Sequence, residues 1–535
     1  MSHAAKLKKA VGHHQNGQLD NAETLYRQVL SEKPNDADAL HMLGLLSYQK
    51  GKPELAADLI SRSLEINPDF PPARIHLGNA LLATKDFPRA EEMFRHALAD
   101  RNSKTDAMLG LAISLFWQER HDEAIECLDR LLEIEPKNAA ALFQAGQSCR
   151  ALEKFSAASE YLSKAIELNP NIPHWLICRS QTSQFLAEYE SAEADCRRAC
   201  ELEPENAAHR HDLGLVLRLM SRPVDAEREL LEATLLNPDL TTAWINLGNA
   251  CRDQGEFEKA IAHFEHALTI EPDNAMTHTY LGAAQLQSGQ MEPGLKNLER
   301  SATLNPFDRT TMAYHAAALA ENGQMQKAED LLDYDRLLER HEASAPAGFR
   351  SLDAFNQALA KHVAGHPTLK YERQGNTTIK GQQTANLLES EPGPVAALRD
   401  IIDGAARKYF AAREIDAGHP YLAWKPERWR YAMWGVILDS QGHQEPHMHP
   451  DAWLSGVYYV QLPAKVKAGE DGPQGWLELG QPPEKLNCKA EHPTRILRPV
   501  EGTLFMFPSY FYHRTIPFDS EEQRISIAFD LRPLI

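Results

Sequence analysis

A 34-residue period governs the first two-thirds of this 535-residue chain. Proline falls at Pro34, Pro68, Pro136, Pro170, Pro204, Pro238, Pro272 and Pro306, with a single gap at Asn102. Alanine holds a second column at Ala22, Ala56, Ala90, Ala124, Ala158, Ala192, Ala226, Ala260 and Ala328, and only Gly294 departs from it. A third column carries Gly44, Gly78, Gly146, Gly214, Gly248 and Gly282. Three columns in phase do not arise from composition. A unit of this length is two short helices and two turns, with small residues where paired helices cross and proline opening the turn into the next unit. One pair cannot bury its apolar stripe alone, so the units must stack, and about ten pairs fit between residues 4 and 340.

Residues 244–272 carry the fullest version: Trp244, Leu247 and Gly248, then Ala260, Phe264 and Pro272, with Cys251 where a tyrosine is usual. This is similar to the tetratricopeptide pattern. The resemblance implies a right-handed superhelical array whose concave groove takes a peptide or a partner protein. A spacer or oligomerisation scaffold is the plainer alternative.

Lys and Arg number 56 against 75 Asp and Glu, a formal net charge of −19. A chain that acidic repels phosphate backbones and anionic membranes, so no nucleic acid and no membrane is expected as partner. The N-terminus shows no secretory apolar region and no window is apolar enough to span a bilayer. The seven cysteines form no C-x-x-C pair, and Cys196 and Cys200 share a helix face as core filling. Reduced thiols in a cytoplasm are the expectation.

The text changes near residue 341. A helix ending DRLLERHE is followed by a Pro/Gly/Ala break at residues 343–349. The reading is a repeat array over 1–340, a linker over 341–350 and a second domain over 351–535. That domain opens with an amphipathic helix at 351–364, capped by Ser351, and a second helix over roughly 394–412. From about residue 428 the texture is β, which predicts an α+β domain on a sandwich or barrel.

The segment Gln444–Asp451 sets His447, His449 and Asp451 at alternating positions. In an extended strand all three project to one face. Two imidazoles and a carboxylate suit Fe(II) and leave coordination positions open. His513 follows a dense apolar strand, and eleven residues later stands Arg524, with Ser526 on the same strand face. The guanidinium fork and hydroxyl make a receptor for a carboxylate. A structural salt bridge from Arg524 to Asp530 is the plainer alternative, since a buried arginine needs an anion.

H-x-H/D, a distal histidine and R-x-S about ten residues on resemble the Fe(II)/2-oxoglutarate-dependent oxygenases. HMHPDAWLSGVYYV and GTLFMFPSYFYH look more narrowly like bacterial members that carry tetratricopeptide arrays. The resemblance covers roughly residues 350–535 and implies a double-stranded β-helix, or jelly-roll, core. It further implies His513 as distal iron ligand, and Arg524, Ser526 and Tyr459 as binders of the distal carboxylate of 2-oxoglutarate. Two proximal registers stay open: His449 with Asp451, which is slightly favoured, or His447 with His449. No catalytic residue is expected beyond the metal ligands. The implied activity is hydroxylation of a protein or peptide recruited by the array, with 2-oxoglutarate converted to succinate and CO2. The alternatives are a non-catalytic binding scaffold with a degenerate jelly roll, or a metal barrel enzyme without an organic cosubstrate. His443 and His492 read as solvated turn residues, and His13 and His14 as solvated helix positions.

Overall fold

The computed structural model describes residues 2–98, 104–372, 377–389, 393–469 and 472–534. The chain divides into two compact units, residues 1–204 and 205–535. Among the described residues, twenty helices from His3–Gln15 to Met325–Leu332 pack as consecutive antiparallel pairs. Twelve of them, ending with Tyr189–Leu202, belong to the first unit.

The repeat columns acquire physical roles. Two residues after many of the column prolines stands a helix cap: Asn274 accepts from the Thr277 amide at 3.0 Å and Asp308 from the Thr311 amide at 2.7 Å. The glycine column lets the paired helices touch. A Cβ on Gly248 would lie 2.6 Å from the ring of Phe264, which is fully buried. The Gly294 exception is a tighter crossing, where a Cβ would sit 3.0 Å from the Gly282 carbonyl oxygen. Of the adjacent histidines, His13 is half-buried beside Gln18, whereas His14 is buried against Tyr26 and Gln49. The solvated reading of His14 is therefore corrected: in the packed pair its polar atoms find partners.

In the second unit the expected helix through DRLLERHE does not extend that far. Helix Met325–Leu332 and a single turn at Tyr334–Leu337 are followed by strand β1, Glu339–Glu342. The strand supplies hydrogen-bond partners to an otherwise open sheet edge, a tertiary demand that outweighs local helix preference. Helices Leu352–Ala364 and Pro394–Ala411 follow the sequence reading, and Ser351 accepts from the Ala354 amide at 3.1 Å. Their apolar faces, including Phe355, Leu359, Val395 and Ile402, are fully buried.

The remaining strands are β2 (Lys370–Tyr371), β3 (Thr378–Gln383), β4 (Trp429–His447), β5 (Leu454–Gln461), β6 (Leu477–Leu479), β7 (Arg495–Leu497), β8 (Thr503–Pro508), β9 (His513–Thr515) and β10 (Arg524–Pro533). All pairings are antiparallel, in the order β1-β8-β5-β10-β4-β9-β6-β7, with β3 on β4 and β2 on β3. The domain is thus a strand-rich antiparallel sheet carrying helices.

Within this unit one apolar core runs from Leu286 and Leu298 of the repeats into the sheet domain. Arg309 donates to the Pro450 carbonyl at 3.1 Å, and Tyr510 donates to the Leu331 carbonyl at 2.6 Å. Glu321 accepts from the amides of Lys489 and Ala490, both at 2.8 Å, and lies 3.1 Å from His492 Nε2. The reading of His492 as solvated is corrected, since its side chain is only 4% exposed. His443 likewise lies in β4 rather than in a turn.

Candidate metal centre

β4 delivers His447 at its last position, opposite His513 at the start of β9. His449 follows two residues later, its amide donating to the Ser509 carbonyl at 3.0 Å. The ligand atoms of these three histidines lie within 4.8 Å of one another, and the His447 and His513 ring centres are 4.2 Å apart. Asp451 is not in this group. The alternation that would set it beside the histidines needs extended chain, but β4 ends at His447 and Pro450–Asp451 is an exposed turn.

Each ring has an oxygen acceptor at Nδ1. His447 Nδ1 lies 2.7 Å from the Glu445 carbonyl, and His513 Nδ1 lies 3.0 Å from that of Phe511. His449 Nδ1 meets the Asp530 carboxylate at 2.7 Å, and Ser455 donates to the same oxygen at 2.6 Å. Acceptors at Nδ1 place the proton there and leave the Nε2 lone pairs free as ligands. Burial and the neighbouring imidazoles hold His447 down at about 3 and His513 well below its ordinary value, so both rings are neutral near pH 7. At Asp530, burial pushes the pKa up, but the charge and hydrogen bonds of His449 and Ser455 outweigh it and the carboxyl stays below its ordinary value.

Arg524 opens β10 and is 1% exposed. It donates to the Gly475 carbonyl and to Ser526 Oγ, each at 3.2 Å, and its guanidinium carbon lies 5.1 Å from the Tyr459 ring centre. Ser526 and Tyr459 are directly opposed across β10 and β5. The Tyr459 hydroxyl is buried with no hydrogen-bond partner. Among the described residues no carboxylate pairs with Arg524. Asp530, the alternative counter-ion, serves His449 instead. Burial lowers the Arg524 pKa and Tyr459 opposes that shift.

One narrow cavity is lined by the three histidines and also by Tyr459, Arg524 and Ser526, with Trp434 and Phe507 among its apolar walls. His447 also borders a wider cleft, lined on its far side by Tyr314 of repeat helix Arg309–Glu321 and by Tyr512. The orienting role of Asp530 escaped the sequence reading, although a signal existed: it shares the strand face of Arg524 and Ser526 by twofold alternation.

A helical repeat array followed by an antiparallel sheet domain with a three-histidine group defines a broad class. The comparisons narrow it. Residues 432–530 match the family described as "Putative 2OG-Fe(II) oxygenase". Tetratricopeptide models match residues 81–145, 139–172 and 241–274, and a model of anaphase-promoting complex subunit 3 matches residues 15–97. The chain is a tetratricopeptide-repeat protein with a C-terminal domain of that oxygenase family. The human protein O-mannosyl-transferase TMTC1 is 26% identical over 122 residues, 23% of this chain and 14% of that protein. The Caenorhabditis elegans tetratricopeptide repeat-containing protein trd-1 is 26% identical over 144 residues, 25% of this chain and 18% of that protein. The chain thus spans less than a fifth of either relative. Pseudomonas aeruginosa pilF is 22% identical with a TM-score of 0.35, over 39% of this chain and 94% of that one. No described helix is long and apolar enough to cross a membrane.

Proposed function

We propose that the protein is an Fe(II)- and 2-oxoglutarate-dependent oxygenase that hydroxylates a protein or peptide recruited by its repeats. The sheet is read as the family's jelly-roll core, spanning residues 351–535, with β1 added from the end of the array. None of the seven cysteines is in a disulfide, which supports a cytoplasmic setting. Iron bound with 2-oxoglutarate supplies the activation of O2 that hydroxylation needs.

In this reading His447, His449 and His513 hold the metal through Nε2, and Asp451 stays outside. Asp530 orients His449 through Nδ1, so a carboxylate contributes without ligating. Arg524, Ser526 and Tyr459 bind the distal carboxylate of the cosubstrate. Trp434 and Phe507 keep water from the cavity. The carrying observation is the pairing of two incomplete features in one cavity: three imidazoles whose Nδ1 atoms are engaged and whose Nε2 atoms are left to ligate, and a buried guanidinium without an anion beside a buried hydroxyl without a partner. Three imidazoles alone accept several transition metals; the carboxylate receptor beside them is what favours an oxo-acid cosubstrate.

The test is anaerobic Fe(II) loading followed by succinate measurement with 2-oxoglutarate and O2. Wild type forms succinate, and His513→Ala abolishes it. Arg524→Ala raises the 2-oxoglutarate concentration for half-maximal rate roughly tenfold or more, the scale of a lost charge-assisted hydrogen bond. Absence of succinate from wild type, or equal turnover in all three, rejects the assignment in favour of a binding scaffold.

A further inference from the structure

We propose that the last repeats carry an acid-reading subsite, in which Arg252 pairs with an Asp or Glu side chain of the protein substrate several residues away from the residue presented at His447. The inference rests on the wider cleft beside His447 being the way in for substrate.

Arg252 lies near the end of helix Thr241–Asp253, and its guanidinium carbon stands 5.3 Å from the ring centre of Tyr280 on helix Ala275–Gln287. Nη1 of Arg252 is buried without a hydrogen-bond partner, and no carboxylate among the described residues pairs with the side chain. A guanidinium N–H that has lost water and gained no acceptor is destabilising; the residue as a whole is only half-buried, and a carboxylate pairing with the guanidinium offsets that cost. Arg218, one repeat earlier, differs. It donates to Asp253 at 2.8 Å and to Asn246 at 3.3 Å, so it takes the acid that adjoins Arg252 in sequence. Asp308, another acid whose charge reaches Tyr280, is occupied as the cap of Thr311, at 2.7 Å from the amide and 2.6 Å from the hydroxyl.

A row of tyrosines connects this cation to the cleft. Tyr280 and Tyr314 stand 34 residues apart, the same place in successive repeats, on helices that touch. Tyr314 in turn borders the cleft with Tyr512 and His447. The groups sense one another: burial raises the Tyr512 hydroxyl pKa, Tyr314 raises it further, and Arg252 lowers it. Two helix-to-helix steps of about 10 Å each correspond to roughly six residues of extended chain. A protein with a net charge of −19 has no general attraction for acidic peptides, so an acid preference must come from a local cation.

The test uses the full-length, iron-loaded chain and a positional-scanning peptide library in which Glu, Gln or Lys is fixed at each position in turn. Wild type enriches Glu over Gln at one or two positions by about tenfold, as expected for a charge-assisted contact. Arg252→Gln loses this preference, and Arg252→Glu transfers it to Lys, an outcome an unfolded variant cannot produce. Succinate formation with 2-oxoglutarate alone is unchanged in both variants. Absence of an acidic preference in wild type, or its survival in Arg252→Gln, overturns the subsite. The library reads binding, so it fails or succeeds separately from the oxygenase assignment: oxidation of peptides without an Arg252-dependent preference leaves the enzyme and removes the subsite, whereas the preference without oxidation does the reverse.

Discussion

Asp530 illustrates how a side chain that touches no ligand can set a site's chemistry. It fixes the tautomer of His449 from a position 4% exposed to solvent. Asp530→Asn keeps the shape but removes the charge that stabilises the imidazole proton. Iron affinity is expected to fall about 10- to 100-fold, read by competition with a chelator, with little change in the fold. His447 and His513 supply a second expectation. The unfolded chain protonates these rings as pH falls through about 6.5. The folded metal-free protein resists until far lower pH, about 3 for His447. Protons therefore favour the unfolded state across that window, and stability declines as pH drops below about 6.5. Thermal unfolding of the metal-free chain between about pH 7.5 and about pH 5 checks this, and His447→Asn should flatten the dependence.

The helix pairs follow a rule of compensating size. Residues 16 apart face each other across each crossing, as Gly248 meets Phe264 and Gly282 meets Leu298. Where the glycine column holds Ser180, its partner is the smaller Cys196, with Oγ and Sγ 3.0 Å apart. Gly248→Ala should therefore destabilise the second unit by about 1–3 kcal/mol through overpacking, despite the better helix propensity of alanine. Phe264→Leu in the same chain should recover part of the loss, and a double-mutant cycle in urea measures the coupling. The sheet elements were unevenly legible. Long apolar stretches such as Thr503–Pro508 announce themselves, whereas β1, β3 and β9 carry weak local signals and exist because a neighbouring strand needs partners.

Within residues 205–535 the repeats and the sheet domain share one core, and loop 480–493 is fastened to the repeats by polar contacts. Glu321 is central, accepting from two backbone amides and facing His492 with only 5% of its side chain exposed. Glu321→Ala leaves those donors unpaired. A loss of about 3 kcal/mol is expected, with faster amide exchange confined first to residues 488–492. If exchange there is unchanged, the loop is held by its apolar contacts instead.

The repeat period, the Ser351 cap and the central strands were legible along the chain, because each depends on neighbours a few residues away or on a period that sequence records directly. Pattern could not say whether Asp451 or His447 lies beside His449 and His513, nor whether Asp530 meets Arg524 or His449. Those choices turned on where β4 stops, which strand lies opposite which, and how deeply each group is buried. Such quantities belong to contacts between distant segments, and a linear alternation of side chains carries no information about the residue at which a strand leaves its sheet.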